Sequence, residues 1–209
     1  MFDVLAYQKI ESEIPKNVKI LAATKMKSIK DIILAINYGI KLIGENYIQE
    51  AKEKYEKLNG ILKDKDVSFH LIGHLQSNKL KTASEIFDCI ETIDSEKIAE
   101  KINKICKKLN KKIEVMIEIN FDEEQKSGIQ LSKLDSLFQK IKTFDHLILV
   151  GFMTIPLIGK EEICFRKMRE LKEKYKVKEI SMGMSSDYKI AIKNGATIIR
   201  LGKILFGKR

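Results

Sequence analysis

The sequence predicts an α/β fold, a closed (β/α)8 TIM barrel, on the strength of three observations. The chain has 209 residues, enough for one large domain with a substantial core. Eight short apolar stretches recur along it, and helical patterns separate them. Strands that alternate with helices pair in parallel through right-handed crossovers, and eight such units close into a barrel.

The predicted strands are almost continuously apolar, as expected for strands that are buried on both faces of a parallel sheet. They cover residues 19–25, 41–46, 67–75, 86–93, 112–120, 147–155 and 178–184, with the eighth inside 197–207. An open doubly wound sheet is the alternative, but that fold needs two helix layers and usually fewer strands. Because no linker or low-complexity tract interrupts the pattern, we expect a single barrel domain over residues 1–209.

Helical periodicity fills the intervals between the strands, and several boundary residues agree with it. Ser28 has the side chain of an N-cap, and Gly39 provides a helix stop. Pro15 closes a lead-in helix, and Pro156 ends the sixth strand. The predicted helices cover residues 2–14, 27–38, 47–58, 78–84, 95–110, 132–142, 161–175 and 187–194.

The composition is that of a soluble globular protein, with 44% hydrophobic and 33% charged residues. No apolar run reaches membrane-spanning length, and residues 1–20 lack the apolar core of a signal peptide. We therefore expect a cytoplasmic protein without a membrane partner. Cys89, Cys106 and Cys164 are far apart and form no CxxC motif or metal-binding spacing, which indicates reduced structural thiols.

The net charge of +10 raises the alternative of a nucleic-acid partner. Only four of the 39 cationic residues are arginines, and the lysines are interleaved with glutamates over residues 52–65, 97–112 and 166–178. This pattern is typical of solvated helix faces rather than of one continuous binding stripe. We expect no nucleic-acid partner, and we expect the protein to be a monomer.

Lys25 ends the apolar stretch at residues 20–25, which reads ILAATK. It therefore lies at the carboxyl end of the first predicted strand, where barrels of this class place their chemistry. An ammonium group there is only partly hydrated, which favours the neutral amine, a nucleophile that forms Schiff bases. The alternative is a structural lysine that pairs with a carboxylate or extends to water.

The ends of the last two strands carry small and hydroxyl residues where this architecture usually binds phosphate. They are Gly183, Ser185 and Ser186 after the seventh strand, and Gly202 after the eighth. Glycines let backbone N–H groups approach an anion, and hydroxyls add donors. The same residues also suit turns and helix N-caps. A nucleophilic lysine and a phosphate site in one barrel mouth together favour an aldehyde cofactor that bears a phosphate, and pyridoxal 5′-phosphate (PLP) is the candidate.

Six stretches resemble the YggS/PROSC family of pyridoxal phosphate homeostasis proteins, which is similar in fold to the N-terminal barrel of alanine racemase. They lie in the family's order and reach from end to end. They read AATK at 22–25, GENYIQEAKEK at 44–54, FHLIGHLQSNK at 69–79, GFMTIP at 151–156, SMGMSSD at 181–187 and GATIIRLGKILFG at 195–207. The segment 120–128 resembles a family loop but is one residue shorter.

The resemblance implies that Lys25 carries PLP as a Schiff base. It also implies that Asn46 and Met153 line the cofactor ring and that Arg200 donates to the pyridine nitrogen. The residues that it assigns to the phosphate are Gly183, Ser185, Gly202 and the backbone of Lys203. Lys203 is itself a departure, because the family usually has a small hydroxyl residue at this position.

The implied role is to bind PLP, store it and hand it on to apo PLP-dependent enzymes, with little or no catalytic turnover. The alternative is a PLP-dependent amino-acid racemase. Racemisation needs a second acid–base group on the opposite face of the substrate carbon. In alanine racemase a second domain supplies that group, whereas the barrel accounts for all 209 residues here.

Overall fold

Eight parallel strands form a closed barrel in the computed structural model of this protein, which describes residues 1–121 and 127–207. The described strands are β1 (Lys19–Ala23), β2 (Leu42–Glu45), β3 (Ser68–Leu71), β4 (Cys89–Ile93), β5 (Ile113–Asn120), β6 (Ile129–Gln130), β7 (Leu147–Met153), β8 (Glu179–Ser181) and β9 (Ile198–Leu201). The barrel order is β4-β3-β2-β1-β9-β8-β7-β5, and pairing between β4 and β5 closes it. The predicted fold class is confirmed.

Strand β6 is an addition to the eight predicted strands. It has two residues and pairs in parallel with the end of β5. Two residues are too short to show any periodicity, so the sequence pattern could not predict it. Most of the loop that resembles a shortened family loop, residues 122–126, lies outside the described residues.

Helices alternate with the barrel strands, as predicted. Within the described residues they are α1 (Val4–Glu13), α2 (Ile29–Asn37), α3 (Ile48–Asp64), α4 (Leu80–Ile86), α5 (Glu96–Lys108), α6 (Leu131–Lys142), α7 (Glu161–Tyr175), α8 (Tyr188–Lys193) and α9 (Lys203–Phe206), with a 3-10 turn at Ser77–Lys79 before α4. The Ser28 hydroxyl accepts a hydrogen bond from the Asp31 amide at 3.2 Å, which confirms its predicted role as the N-cap of α2.

The largest differences from the prediction are in two helices. Helix α3 continues to Asp64, six residues past the predicted end, because Leu58 and Leu62 keep its buried face continuous across Gly60. Nothing lies within 4 Å of the position that a Cβ at Gly60 would take, so no close contact requires a glycine there. The short helix α9 begins one residue after β9, inside the apolar stretch 197–207 that was predicted only to contain the eighth strand.

Apolar residues fill two separate layers. The larger layer lies between the helices and the outside of the barrel. A smaller cluster fills the barrel interior, and its buried members are Leu21, Ile72, Cys89, Met116, Met153 and Ile198. Burying apolar side chains stabilises the fold by about 25 cal/mol for each Å² removed from water. The interior cluster supports the strand ends that carry the candidate site.

Cys89, Cys106 and Cys164 are buried, as expected for structural thiols. Burial raises the pKa of the Cys89 thiol well above its usual value, so this group stays protonated at neutral pH. Among the described helices, none combines the length and the apolar character that crossing a membrane requires.

Candidate functional site

A cleft of about 380 Å³ opens at the carboxyl ends of β1, β2 and β9. Its lining residues are Ala23, Lys25, Lys27, Asn46, Gly202, Lys203 and Gly207. The volume falls within the range of small-molecule sites, about 300–1,000 Å³. The cleft therefore brings together four of the predicted site residues, namely Lys25, Asn46, Gly202 and Lys203.

Lys25 lies two residues beyond the end of β1 and is half-buried. Its Nζ atom is 3.0 Å from the Tyr47 hydroxyl oxygen and 4.4 Å from the centre of the Tyr47 ring. Lys25 forms no ion pair with a carboxylate in residues 1–121 or 127–207. Within the described residues, Lys25 is therefore not a structural lysine paired with a carboxylate, which was one of the alternatives left open by the sequence.

The loop after β8 lies against the start of α9. Gly183 has a φ of +90°, and a Cβ there would lie 2.5 Å from the Ala191 Cβ, so only glycine fits. The Ser185 hydroxyl accepts a hydrogen bond from the Ile204 amide at 3.3 Å. Ser185 is thereby next to Lys203, which is exposed and lines the cleft. The predicted phosphate residues of the two loops are thus neighbours.

Arg200 and Met153 face the barrel interior and do not line the cleft. The Arg200 guanidinium is 4% exposed and donates through Nη1 to the Ser181 hydroxyl and through Nη2 to the Thr154 carbonyl, each at 2.8 Å. Burial lowers the pKa of Arg200, and the negative charges of Glu91 and Glu118 partly oppose this by raising it. Its predicted contact with a pyridine nitrogen stays a prediction.

A polar network that the sequence reading missed continues from Arg200 across the barrel. The Ser181 hydroxyl donates to Glu91 Oε2 at 2.5 Å, and Glu91 Oε1 lies 2.7 Å from His70 Nδ1. His70 Nε2 lies 3.0 Å from the Ser68 hydroxyl. Both ring nitrogens of the buried His70 therefore have hydrogen-bond partners. A glutamate inside the apolar strand at 89–93 was the signal that could have revealed the network.

Glu118 is a second buried carboxyl group of the barrel interior. Its Oε1 atom accepts a hydrogen bond from the Ser127 hydroxyl at 2.6 Å, and its Oε2 atom has no partner among the described residues. Burial raises the pKa of Glu118, and the Ser127 hydrogen bond and the Arg200 charge only partly oppose this effect.

We expect Glu118→Gln to raise the free energy of unfolding at neutral pH. A carboxyl whose pKa is higher in the folded protein stabilises the fold below the unfolded pKa, near 4.3. That stabilisation is lost as the pH rises through the folded pKa. Glutamine cannot ionise, so the gain in free energy of unfolding of Glu118→Gln over the wild type should shrink as the pH falls to about 4. Denaturant unfolding over a pH series measures the difference.

The matched control for this prediction is Glu114→Gln, on the same strand but with an exposed side chain. It should leave the pH dependence of stability close to that of the wild type. A Glu118→Gln variant that is less stable than the wild type at neutral pH would contradict the prediction.

Comparison with known proteins supports the same fold. The family described as alanine racemase, N-terminal domain, matches residues 6–209. The pyridoxal phosphate homeostasis protein of Haemophilus influenzae is 40% identical over 215 aligned residues, which cover 96% of this chain and 89% of that protein. The protein of the same name from Escherichia coli is 37% identical and is covered over 87% of its length.

Solved structures agree with the sequence comparisons. PipY of Synechococcus elongatus, solved with PLP bound, superposes with a TM-score of 0.89 at 30% identity, covering 98% of this chain and 99% of PipY. An alanine racemase from Clostridium difficile shares the fold, with a TM-score of 0.77 at 16% identity, and 58% of that chain is covered. The chain therefore belongs to the family of pyridoxal phosphate homeostasis proteins.

Proposed function

We propose that this protein binds PLP as a Schiff base on Lys25 and serves intracellular PLP homeostasis with little or no catalytic turnover. The proposal treats residues 1–209 as one PLP-binding barrel domain that acts in the cytoplasm. The observation that carries it is the position of Lys25, whose amine lies in a 380 Å³ cleft with Gly202 and Lys203 on the adjacent strand end. The relatives' names and the PLP-bound PipY support it.

The residues present fit the phosphate end of the cofactor. Gly183 holds a positive φ that brings the backbone of its loop close to α8, and the Ser185 hydroxyl keeps a free proton to donate while it accepts from Ile204. Gly202 leaves the cleft open beside Ala23. We assign the phosphate to Gly183, Ser185, Gly202 and the amide of Lys203.

The residues also fit the aldehyde end. Bound PLP supplies an aldehyde carbon that condenses with a primary amine and releases water. Lys25 provides that amine, and the Tyr47 hydroxyl at 3.0 Å can take up or return a proton at Nζ. We assign one ring face to Asn46, which lines the cleft. On the family resemblance we also assign the ring to Met153 and its pyridine nitrogen to Arg200, two residues that lie in the barrel interior beyond the cleft lining.

Borohydride reduction tests the proposed function. The purified protein mixed with PLP should absorb in the visible range, and reduction should leave one stable adduct. Peptide mass spectrometry should place that adduct on Lys25. An adduct on a different lysine, or none, would overturn the proposal.

Ser185→Ala should weaken PLP affinity by about 1–3 kcal/mol, the range for losing a hydrogen bond to a charged group. Fluorescence titration with PLP measures the change, and Ser132→Ala, outside the site at the start of α6, serves as the control. Unchanged binding by Ser185→Ala would contradict the assignment. Ser181, at the end of β8, is buried between Glu91 and Arg200 and is a poor substitute.

Lys203→Thr restores the residue that the family usually has at this position. Because the Lys203 side chain is exposed at the cleft, we expect its cation to attract the phosphate from solvent rather than to contact it. The variant should then bind PLP with a weaker dependence on salt and nearly the same affinity at high salt. An affinity that falls equally at all salt concentrations would indicate a direct contact instead.

The racemase alternative predicts turnover, and the proposed function predicts its near absence. Arg200 carries a guanidinium that only donates hydrogen bonds, so facing the pyridine nitrogen it would keep that nitrogen unprotonated. An unprotonated ring is a weaker electron sink, which raises the barrier without weakening cofactor binding.

We expect amino-acid turnover far below the range of about 1–1,000 per second that is typical of enzymes. Chiral chromatography of amino acids incubated with the loaded protein measures it. The paired measurement is the reactivation of an apo PLP-dependent enzyme by the loaded protein. Turnover in the typical range would favour the racemase alternative.

A further inference from the structure

The chain turns sharply where it carries Lys25. Met26, the next residue, has a φ of +60°, which is uncommon for a residue other than glycine. Such backbone conformations persist where the surrounding structure holds them, and they cluster at functional sites. The contacts that hold this turn therefore bear on the placement of the Lys25 amine.

Two side chains of helix α3 form hydrogen bonds with the backbone on both sides of Lys25. The Lys54 ammonium donates to the Thr24 carbonyl oxygen at 2.6 Å, and Glu50 Oε1 accepts from the Met26 amide at 2.6 Å. The two peptide groups that flank Lys25 are thus bonded to one helix. Lys54 and Glu50 are joined to each other at 2.7 Å, one helical turn apart.

The charged groups that make these contacts are largely buried. Lys54 is 7% exposed, and its ammonium also donates to Glu45 Oε1 at 2.6 Å, so all three of its donors are used. Glu45 is fully buried at the end of β2, and burial raises its pKa against the opposing charge of Lys54. The Thr24 hydroxyl donates to the same Oε1 atom at 2.6 Å.

A buried ion cluster is weak support for stability alone, because desolvation offsets much of the attraction between the charges. This cluster instead fixes two backbone positions around Lys25, one of the three lysines that line the cleft. We propose that Lys54, together with Glu50, is a positioning residue that holds the Lys25 backbone so that its amine meets the PLP aldehyde in the cleft.

The inference rests on the proposed function and deepens it. In the covalent step, Lys25 Nζ attacks the aldehyde carbon, a C=N bond forms, and the aldehyde oxygen leaves as water with both amine protons. Lys54 touches neither reacting atom. Its removal should slow this step and leave the contacts of ring and phosphate in place.

The test compares Lys54→Met with the wild type in two measurements. The first is the rate of borohydride-trappable adduct formation on Lys25 with PLP. The second is the affinity for pyridoxine 5′-phosphate, which keeps the ring and phosphate but has an alcohol in place of the aldehyde. We expect adduct formation to slow by about 10- to 100-fold, the effect of misplacing a reacting group by about 1 Å, with the analogue's affinity nearly unchanged.

Lys52→Met is the matched control, because Lys52 is an exposed lysine of the same helix that only approaches Glu56, at 3.9 Å. It should behave as the wild type in both measurements. If Lys54→Met does not fold, Glu50→Ala tests the proposal instead. The Glu50 side chain is a quarter exposed, and this substitution removes the hydrogen bond to the Met26 amide. That variant should slow adduct formation in the same way.

The outcomes separate the two proposals. Parallel losses of adduct formation and analogue affinity would reduce Lys54 to a structural role and overturn the inference. Adduct formation at the wild-type rate in both variants would overturn it as well. A wild-type protein that binds PLP but forms no adduct on Lys25 would overturn the proposed Schiff base itself, and the positioning role with it.

Discussion

Lys25→Ala should abolish the borohydride-stable attachment of PLP and the visible absorption that accompanies it. The methyl side chain of alanine has no amine, so no C=N bond can form at this position. The proposed phosphate contacts do not involve the Lys25 side chain, so the variant should still bind the cofactor reversibly. Absorption spectra, intact mass after reduction and equilibrium dialysis measure the three quantities.

Lys27→Ala is the matched control for this prediction. Lys27 lines the same cleft, but its Nζ atom donates to the Phe206 carbonyl oxygen at 3.1 Å, which occupies the ammonium in a structural contact. The control variant should keep the adduct and the visible absorption. A Lys25→Ala protein that forms an adduct on Lys27 would show that the cleft presents either amine. An adduct of full yield there would contradict the assignment of Lys25.

The barrel was predictable from sequence because its determinants are local. Each strand is apolar on both faces, each helix has its own periodicity, and right-handed crossovers leave few ways to combine them. The errors lie where a local signal is weak or conflicting. Helix α3 was predicted to end at residue 58, but its buried face continues past Gly60 to Asp64, and β6 and α9 are too short to have a period.

The candidate site divides in the same way. Lys25 and Gly202 were predictable because each follows the end of a strand, and strand ends meet at the barrel mouth. Asn46 and Lys203, which line the same cleft, came from the family resemblance. The positions of side chains inside the barrel depend on the register between strands that are far apart in sequence. Glu91 and Ser181 are 90 residues apart, and no local pattern indicates that they touch. The contacts of Lys54 around Lys25 were hidden for the same reason.

Arg200→Met should lower the free energy of unfolding by about 3–5 kcal/mol, the cost of leaving a buried charge without its partner. The guanidinium neutralises an interior that also contains Glu91 and Glu118, and it donates to the Ser181 hydroxyl and the Thr154 carbonyl. Methionine has similar length but no donors. Denaturant unfolding of the PLP-free protein measures the loss.

Arg166→Met is the matched control, because Arg166 is an exposed residue of α7. Surface substitutions of this kind usually change stability by no more than about 0.5 kcal/mol. The double variant Arg200→Met with Glu91→Gln also removes the negative charge that Arg200 faces in the barrel interior. The double variant should recover part of the lost stability, because the effects of substituting residues in one hydrogen-bond network are not additive.

Arg200→Met also separates the structural role of the guanidinium from its proposed contact with the cofactor. If Arg200 faces the pyridine nitrogen, the variant that still folds should show a visible absorption band that is shifted and more dependent on pH than that of Arg166→Met, because the ring nitrogen is then free to take a proton. If the guanidinium serves only the barrel network, the two spectra should coincide while the stabilities differ. A variant as stable as the wild type would contradict the network itself, since it would mean that Glu91 and Ser181 need no cation beside them.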